Sequence, residues 1–208
     1  MVGWRRFGVG TISTSGHYVV NMPMLTKAAH DWKRHLAPVV EGYAIEDQFY
    51  ADETAVFYRQ LLRKSIVFKG KSCKGGKFAK ERMSIMLCRS ATGEKLKPLI
   101  GHAAIPRVFK QNSVTPENLP VTWKQNKKAW ITTAVFEEWL NQLNETMKKK
   151  KGWIILFVDN ATSHVVSKKL CNVHVKFLPP HLTSELQPLD QGIIQAMRTN
   201  YRKSMLHS

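Results

Sequence analysis

Trp153-Ile154-Ile155-Leu156-Phe157-Val158-Asp159-Asn160 places six apolar residues in succession and then stops on a carboxylate. A short apolar run without polar alternation reads as a strand buried on both faces, as in sheets covered by helices on either side. In open α/β sheets, ligands bind beyond the carboxyl ends of the strands, so Asp159 stands where a functional group belongs. Two further acids sit in similar settings: Asp52 closes the run Phe49-Tyr50-Ala51, and Asp190 lies in Leu186-Gln187-Pro188-Leu189-Asp190-Gln191-Gly192.

Working outward, Val173-His174-Val175-Lys176-Phe177-Leu178 reads as the next strand. The intervening Asn160 to Asn172 has the length of a crossover between parallel strands, and Val165, Val166 and Leu170 permit a short helix in it. Upstream, Phe136, Trp139, Leu140, Leu143 and Met147 recur at helical spacing. Thr132 or Thr133 is the candidate cap, and Lys148 to Lys151 meet the helix dipole at the far end. Met83 to Cys88 and Leu96 to Ile100 read as an antiparallel hairpin around Ala91-Thr92-Gly93-Glu94. Phe49 to Asp52 gives an earlier strand, with a second short one at Ser65 to Lys69. Leu25, Ala28, Ala29, Trp32, Leu36 and Val39 form a helical stripe, stopped or kinked by Pro38 and ended at Gly42. Ile193, Ile194, Met197 and Tyr201 mark a final helix. The stretch from His102 to Lys128, with Pro106, Pro116 and Pro120, reads as a long irregular connection. Residues 1–24, rich in Gly, Ser and Thr, read as a poorly packed leader, with a single domain over 25–208. This order of elements predicts an α/β fold, a mixed sheet flanked by helices.

Composition supports a packed domain, since 43% of the 208 residues are hydrophobic. The 32 Lys and Arg against 15 Asp and Glu give a formal charge of +17, spread along the whole chain. Such an excess points to a polyanionic partner, most commonly nucleic acid, though a merely basic protein shows the same balance. The loop from Gly70 to Lys80 carries Lys71, Lys74, Lys77 and Lys80 and is followed by Arg82. These five cations are the candidate nucleic-acid-contacting surface through phosphates; the alternative is a solvated basic turn. No apolar run approaches the ~20 residues that span a bilayer, and the start lacks a signal-peptide core, so no membrane partner is expected and the chain reads as intracellular. Cys73, Cys88 and Cys171 are odd in number and lack zinc spacing.

Taken singly, an Asp after a strand or before a helix more often caps that helix than binds a ligand. Together, Asp52, Asp159 and Asp190 fit one set of oxygen ligands. Mg²⁺ and Mn²⁺ favour hard carboxylate oxygens and keep waters that substrate phosphates can replace. Two such ions, roughly 3.5 to 4 Å apart, bind the attacking and the leaving oxygen when a phosphodiester is transferred. Asn160 and Gln191, each following a candidate ligand, could orient the carboxylates by hydrogen bonds. His164 reads as a loop histidine. Gly70-Lys71-Ser72 lacks the glycine five residues earlier that a phosphate-binding loop requires.

Eight segments then occur in a telling order: Ala51-Asp52-Glu53-Thr54, Lys80-Glu81-Arg82, Lys95-Leu96-Lys97-Pro98-Leu99-Ile100-Gly101, Lys128-Ala129-Trp130, Phe136-Glu137-Glu138-Trp139-Leu140, Asp159-Asn160-Ala161, Phe177-Leu178-Pro179-Pro180 and Gln187-Pro188-Leu189-Asp190-Gln191-Gly192. From about Leu25 to its end the chain resembles the catalytic domain of the pogo/Tigger group of DDE transposases, related to the jerky and centromere protein B families. The resemblance implies an RNase H-like, mixed five-stranded sheet and an Asp-Asp-Asp triad at Asp52, Asp159 and Asp190. It further implies two divalent ions, Mg²⁺ or Mn²⁺, cleavage and transfer of DNA strands, assembly as a homo-oligomer and a nuclear location. Asp190 follows Asp159 by 31 positions (190 − 159), the separation of the pogo group.

The chain departs from the family pattern at Tyr50 and Ala55 around the first acid, and at His181, Leu182 and Glu185 before the last. These positions flank the triad and leave it complete. The helix-turn-helix modules that precede the family's catalytic domain do not fit within residues 1–24, so recognition of particular transposon ends is not expected from this stretch. The competing expectation is a domesticated remnant that binds DNA or protein without cutting.

Overall fold

A computed structural model describes residues 27–58, 81–127, 129–180 and 182–207. The expected strand at Ser65 to Lys69 and the cations Lys71, Lys74, Lys77 and Lys80 lie outside the described residues. Helix α1 spans Lys27–Val40, strand β1 Gln48–Val56, β2 Met83–Ser90 and β3 Leu99–His102. A short helix α2 (Arg107–Gln111) and strand β4 (Thr122–Gln125) follow, then α3 (Thr133–Lys149), β5 (Ile154–Val158) and β6 (Val173–Phe177). Helix α4 (Thr183–Leu186) and a wide π-type turn (Leu189–Ile193) lead into α5 (Ile194–His207).

The strands form one sheet in the order β4-β3-β2-β1-β5-β6. β1 pairs antiparallel with β2 and parallel with β5, β2 pairs antiparallel with β3, and β5–β6 and β3–β4 are parallel. The sheet is therefore mixed, with six strands among the described residues where five were expected. The extra strand, Thr122-Trp123-Lys124-Gln125, lies at an edge inside the stretch expected to be irregular. Four residues, mostly polar and only half buried, leave no alternation for a pattern to register.

All five residues of β5 are buried, as its apolar run requires. Its side chains divide by parity: Ile154, Leu156 and Val158 join the core under α3, whereas Ile155 and Phe157 join the opposite core with Leu189 and Ile194. Phe136, Trp139, Leu140, Leu143 and Met147 of α3 close the first face. Trp32, Leu36, Val39 and Val40 of α1 pack on the second. Thr132 caps α3, its hydroxyl accepting from the Val135 N–H at 3.4 Å. Helix α1 continues through Pro38 to Val40 and ends at Gly42, whose φ of +85° is open to glycine at little cost.

Two expectations change in detail. Trp153 precedes β5 and is 70% exposed, so the buried strand begins at Ile154. The crossover between β5 and β6 holds no helix, because side chains of α3 satisfy its backbone instead. Asn144 Oδ1 accepts from the N–H groups of Cys171 at 3.1 Å and Asn172 at 2.9 Å, and Glu137 Oε1 accepts from Ser167 N–H at 3.2 Å.

Candidate metal centre

The parallel β1–β5 pairing sets Tyr50 beside Phe157, which carries Asp52 to the same end of the sheet as Asp159. Asp52 does not end its strand as the sequence reading held; it sits in the middle of β1, which continues to Val56. Strand parity then fixes its direction. Phe49 and Ala51 point to the α3 core, so Asp52, like Tyr50, faces the side of the wide turn and α5. Thr54, two residues on, confirms that face by accepting from Arg198 Nη2 of α5 at 2.5 Å.

Asp190 arrives from the turn. Pro188 and Asp190 do not cap α5; Pro188 precedes and Asp190 lies in the Leu189–Ile193 segment, where Gly192 has a φ of +134° that a side chain would strain. Gln187, fully buried, donates from Nε2 to the Ala51 carbonyl at 2.9 Å and so ties this turn to β1 next to Asp52. Gln191 donates from Nε2 to the Glu185 carbonyl at 2.6 Å, so its amide braces the turn from within rather than orienting a carboxylate. Asn160 is exposed.

The three acids thus converge with graded access to water. Asp52 is buried at 6% exposure, the Asp159 side chain is 30% exposed, and Asp190 is exposed. Burial pushes the Asp52 carboxyl well above the usual carboxylate range, and the charges of Asp190 and Asp159, with a hydrogen bond to the Asp190 side chain, push it the same way. A carboxyl buried beside two others is held there at a cost that a cation would relieve.

His164 is the residue that the sequence reading passed over. It is 3% exposed, stacks on Phe136 with ring centroids 4.4 Å apart, and brings Nδ1 to 2.6 Å from Asp159 Oδ1. The same nitrogen lies 3.3 Å from the Asp159 carbonyl oxygen. Both neighbours only accept, so Nδ1 carries the proton. Its approach to Oδ1 is a close charge contact without hydrogen-bond alignment, which leaves Oδ1 buried and without an aligned donor. Burial of the imidazole disfavours its charged form, but the Asp159 carboxylate and carbonyl outweigh burial and raise its pKa. A histidine five residues after an acid, in a stretch without periodicity, gave no signal beyond proximity.

Among the described residues no three His, Cys, Asp or Glu side chains form a ready-made metal shell. The donor set nevertheless suits a hard cation: three carboxylates at one end of the sheet, one of them buried with an elevated pKa. Arg82, expected to meet DNA, lays its guanidinium 3.8 Å above the Trp130 ring. No helix among the described residues is long and apolar enough to cross a membrane.

Residues 80–208 match the family described as DDE superfamily endonuclease. The chain is 32% identical over 178 residues to Tigger transposable element-derived protein 4 of Mus musculus, covering 84% of this chain and 34% of that protein. It is 32% identical over 215 residues to CENP-B homolog protein 2 of Schizosaccharomyces pombe, covering 99% of this chain and 39% of that one. The chain therefore spans about a third of the length of these relatives. In fold it is similar to the crystal structure titled the Mos1 mariner paired end complex with Mn, at a TM-score of 0.52 and 15% identity, over 93% of this chain and 54% of that one. The shared architecture is RNase H-like.

Proposed function

The chain belongs to the DDE superfamily endonucleases, in its pogo/Tigger group, and on that footing we propose that it is a metal-dependent nuclease domain acting on DNA. Asp52, Asp159 and Asp190 would hold Mg²⁺ or Mn²⁺, two ions in the full site. When bound, these ions supply a nucleophile at neutral pH and stabilise the leaving 3′ oxygen. The observation that carries the reading is the convergence of the three acids, with Asp52 buried and coupled by charge and hydrogen bond to Asp190.

The chain's own residues each have a task in this scheme. Asp52 is the fixed ligand, held in the middle of a paired strand. Asp190 is exposed and faces the incoming strand, and its backbone is anchored through Gln187. His164 restrains the Asp159 carboxylate through Nδ1 and, being buried, keeps water from that side. The charge of +17 draws DNA to the domain and is consistent with nuclear work.

A second reading has its own support. The likeness to CENP-B homolog protein 2 extends over nearly the whole chain, so retention of this domain for binding without cutting is a coherent alternative. Nicking of supercoiled plasmid separates the two. The nuclease reading expects nicks with Mg²⁺ or Mn²⁺, none in EDTA, and loss of activity in Asp159→Asn and Asp190→Asn. Equal background from wild type and both variants, with DNA still bound, establishes the binding reading instead.

A further inference from the structure

A groove of about 440 Å³ runs along β6, the outer strand of the sheet, with lining residues from Val173 to Phe177. Tyr43, Trp153, Lys168, Lys169 and His174 are among its lining residues, and none of the lining residues is acidic. Trp153 precedes β5 and Asp159 follows it; six residues at roughly 3.3 Å each put about 20 Å between them. The Trp153 end of the groove is thus separate from the candidate metal centre.

Trp153 is 70% exposed, although an indole gains more than almost any other side chain from burial. Its exposure is built in. Asn172 Nδ2 donates to the Gly152 carbonyl at 2.9 Å, and Asn144 Oδ1 holds the N–H groups of Cys171 and Asn172. These bonds lock the end of the crossover against the start of β5, so Lys168, Lys169 and the indole share one groove on a rigid frame. Lys168 and Lys169 are exposed, and Lys148 to Lys151, also exposed, adjoin Trp153 in the chain.

An accessible π-face next to paired cations, with no carboxylate among the lining residues, complements a chain that offers phosphates and unstacked bases. We propose that this groove binds a single-stranded segment of nucleic acid, a base stacking on Trp153 while Lys168 and Lys169 hold flanking phosphates. The proposal shares with the proposed function a nucleic-acid partner but does not require that the chain cuts it.

Fluorescence anisotropy of a dye-labelled oligo(dT), read in EDTA so that cleavage plays no part, tests it. Trp153→Ala is expected to lose roughly 5- to 150-fold in affinity for the oligonucleotide, the span of one base–aromatic stack, and little for a blunt duplex. Trp153→Phe should retain most of the binding, and an unchanged circular dichroism melt excludes a folding defect. Lys168→Gln with Lys169→Gln should lower the salt slope by about 1.4, two phosphates of a single strand. Unchanged affinity in Trp153→Ala, or equal loss for single strand and duplex, overturns the proposal. Because a chain that nicks nothing can still pass this test, failure here and failure of the nuclease reading are distinct results.

Discussion

Gln187 Nε2 donates to the Ala51 carbonyl at 2.9 Å, a bond across 136 residues that joins the turn bearing Asp190 to the strand bearing Asp52. Both ends are buried, and the amide oxygen of Gln187, Oε1, has no hydrogen-bond partner among the described residues. The site therefore depends on a contact made by no ligand residue. Gln187→Leu should cost about 1–3 kcal/mol in urea unfolding, the range for a lost buried hydrogen bond. Divalent-cation affinity should fall as well, since Asp190 is no longer held against Asp52. Retention of wild-type cation affinity in a destabilised variant would separate stability from positioning and contradict the second part.

Asp52 makes stability depend on pH in an unusual direction. Its folded pKa rises from 3.8 to about 8, so between those values unfolding releases a proton that the native state retains. Stability in EDTA should accordingly fall as pH rises through that window. Asp52→Asn should flatten the dependence, and Mg²⁺ or Mn²⁺ should restore stability most at the alkaline end. Thermal melts across pH, with and without metal, check both.

His164 should titrate above an ordinary histidine, because Asp159 outweighs burial. Its contribution to stability is then present in acid and lost as pH rises through the elevated value. In Asp159→Asn the carboxylate's contribution is lost while burial, the residue-159 carbonyl and the Glu53 charge remain, and the imidazole pKa should fall relative to the wild type. Two-dimensional NMR of the ring protons during a pH titration reads this directly.

Asn144 holds two backbone N–H groups with one oxygen, at 3.1 and 2.9 Å. Asn144→Ala strands both donors and should cost about 1–3 kcal/mol. The effect should be local: hydrogen exchange at Cys171 and Asn172 should accelerate far more than at the centre of β5.

The elements that bury a continuous apolar face were legible in the sequence. Ile154 to Val158 and the α3 stripe from Phe136 to Met147 have the run length and the period that a covered sheet and its helix demand. The β4 edge was not, because Thr122 to Gln125 is a strand by pairing with β3 and its side chains carry almost no pattern. The convergence of Asp52, Asp159 and Asp190 was legible through spacing and resemblance, but their environments were not. Asp52 read as a strand end because its own charge interrupts the apolar run, whereas β1 continues to Val56 with Thr54 turned to Arg198. Gln187 and His164 act through contacts that close only in three dimensions. No local pattern announces a glutamine that reaches a carbonyl 136 residues away.

The central claim is that Asp52, Asp159 and Asp190 form one cation site. Titration of Mn²⁺ into the purified chain, followed by electron paramagnetic resonance and repeated for the three single Asp→Asn variants, measures it without reliance on DNA or turnover. Saturable binding that each variant sharply weakens is the predicted result; binding that persists unchanged in all three variants, or none in the wild type, contradicts the account.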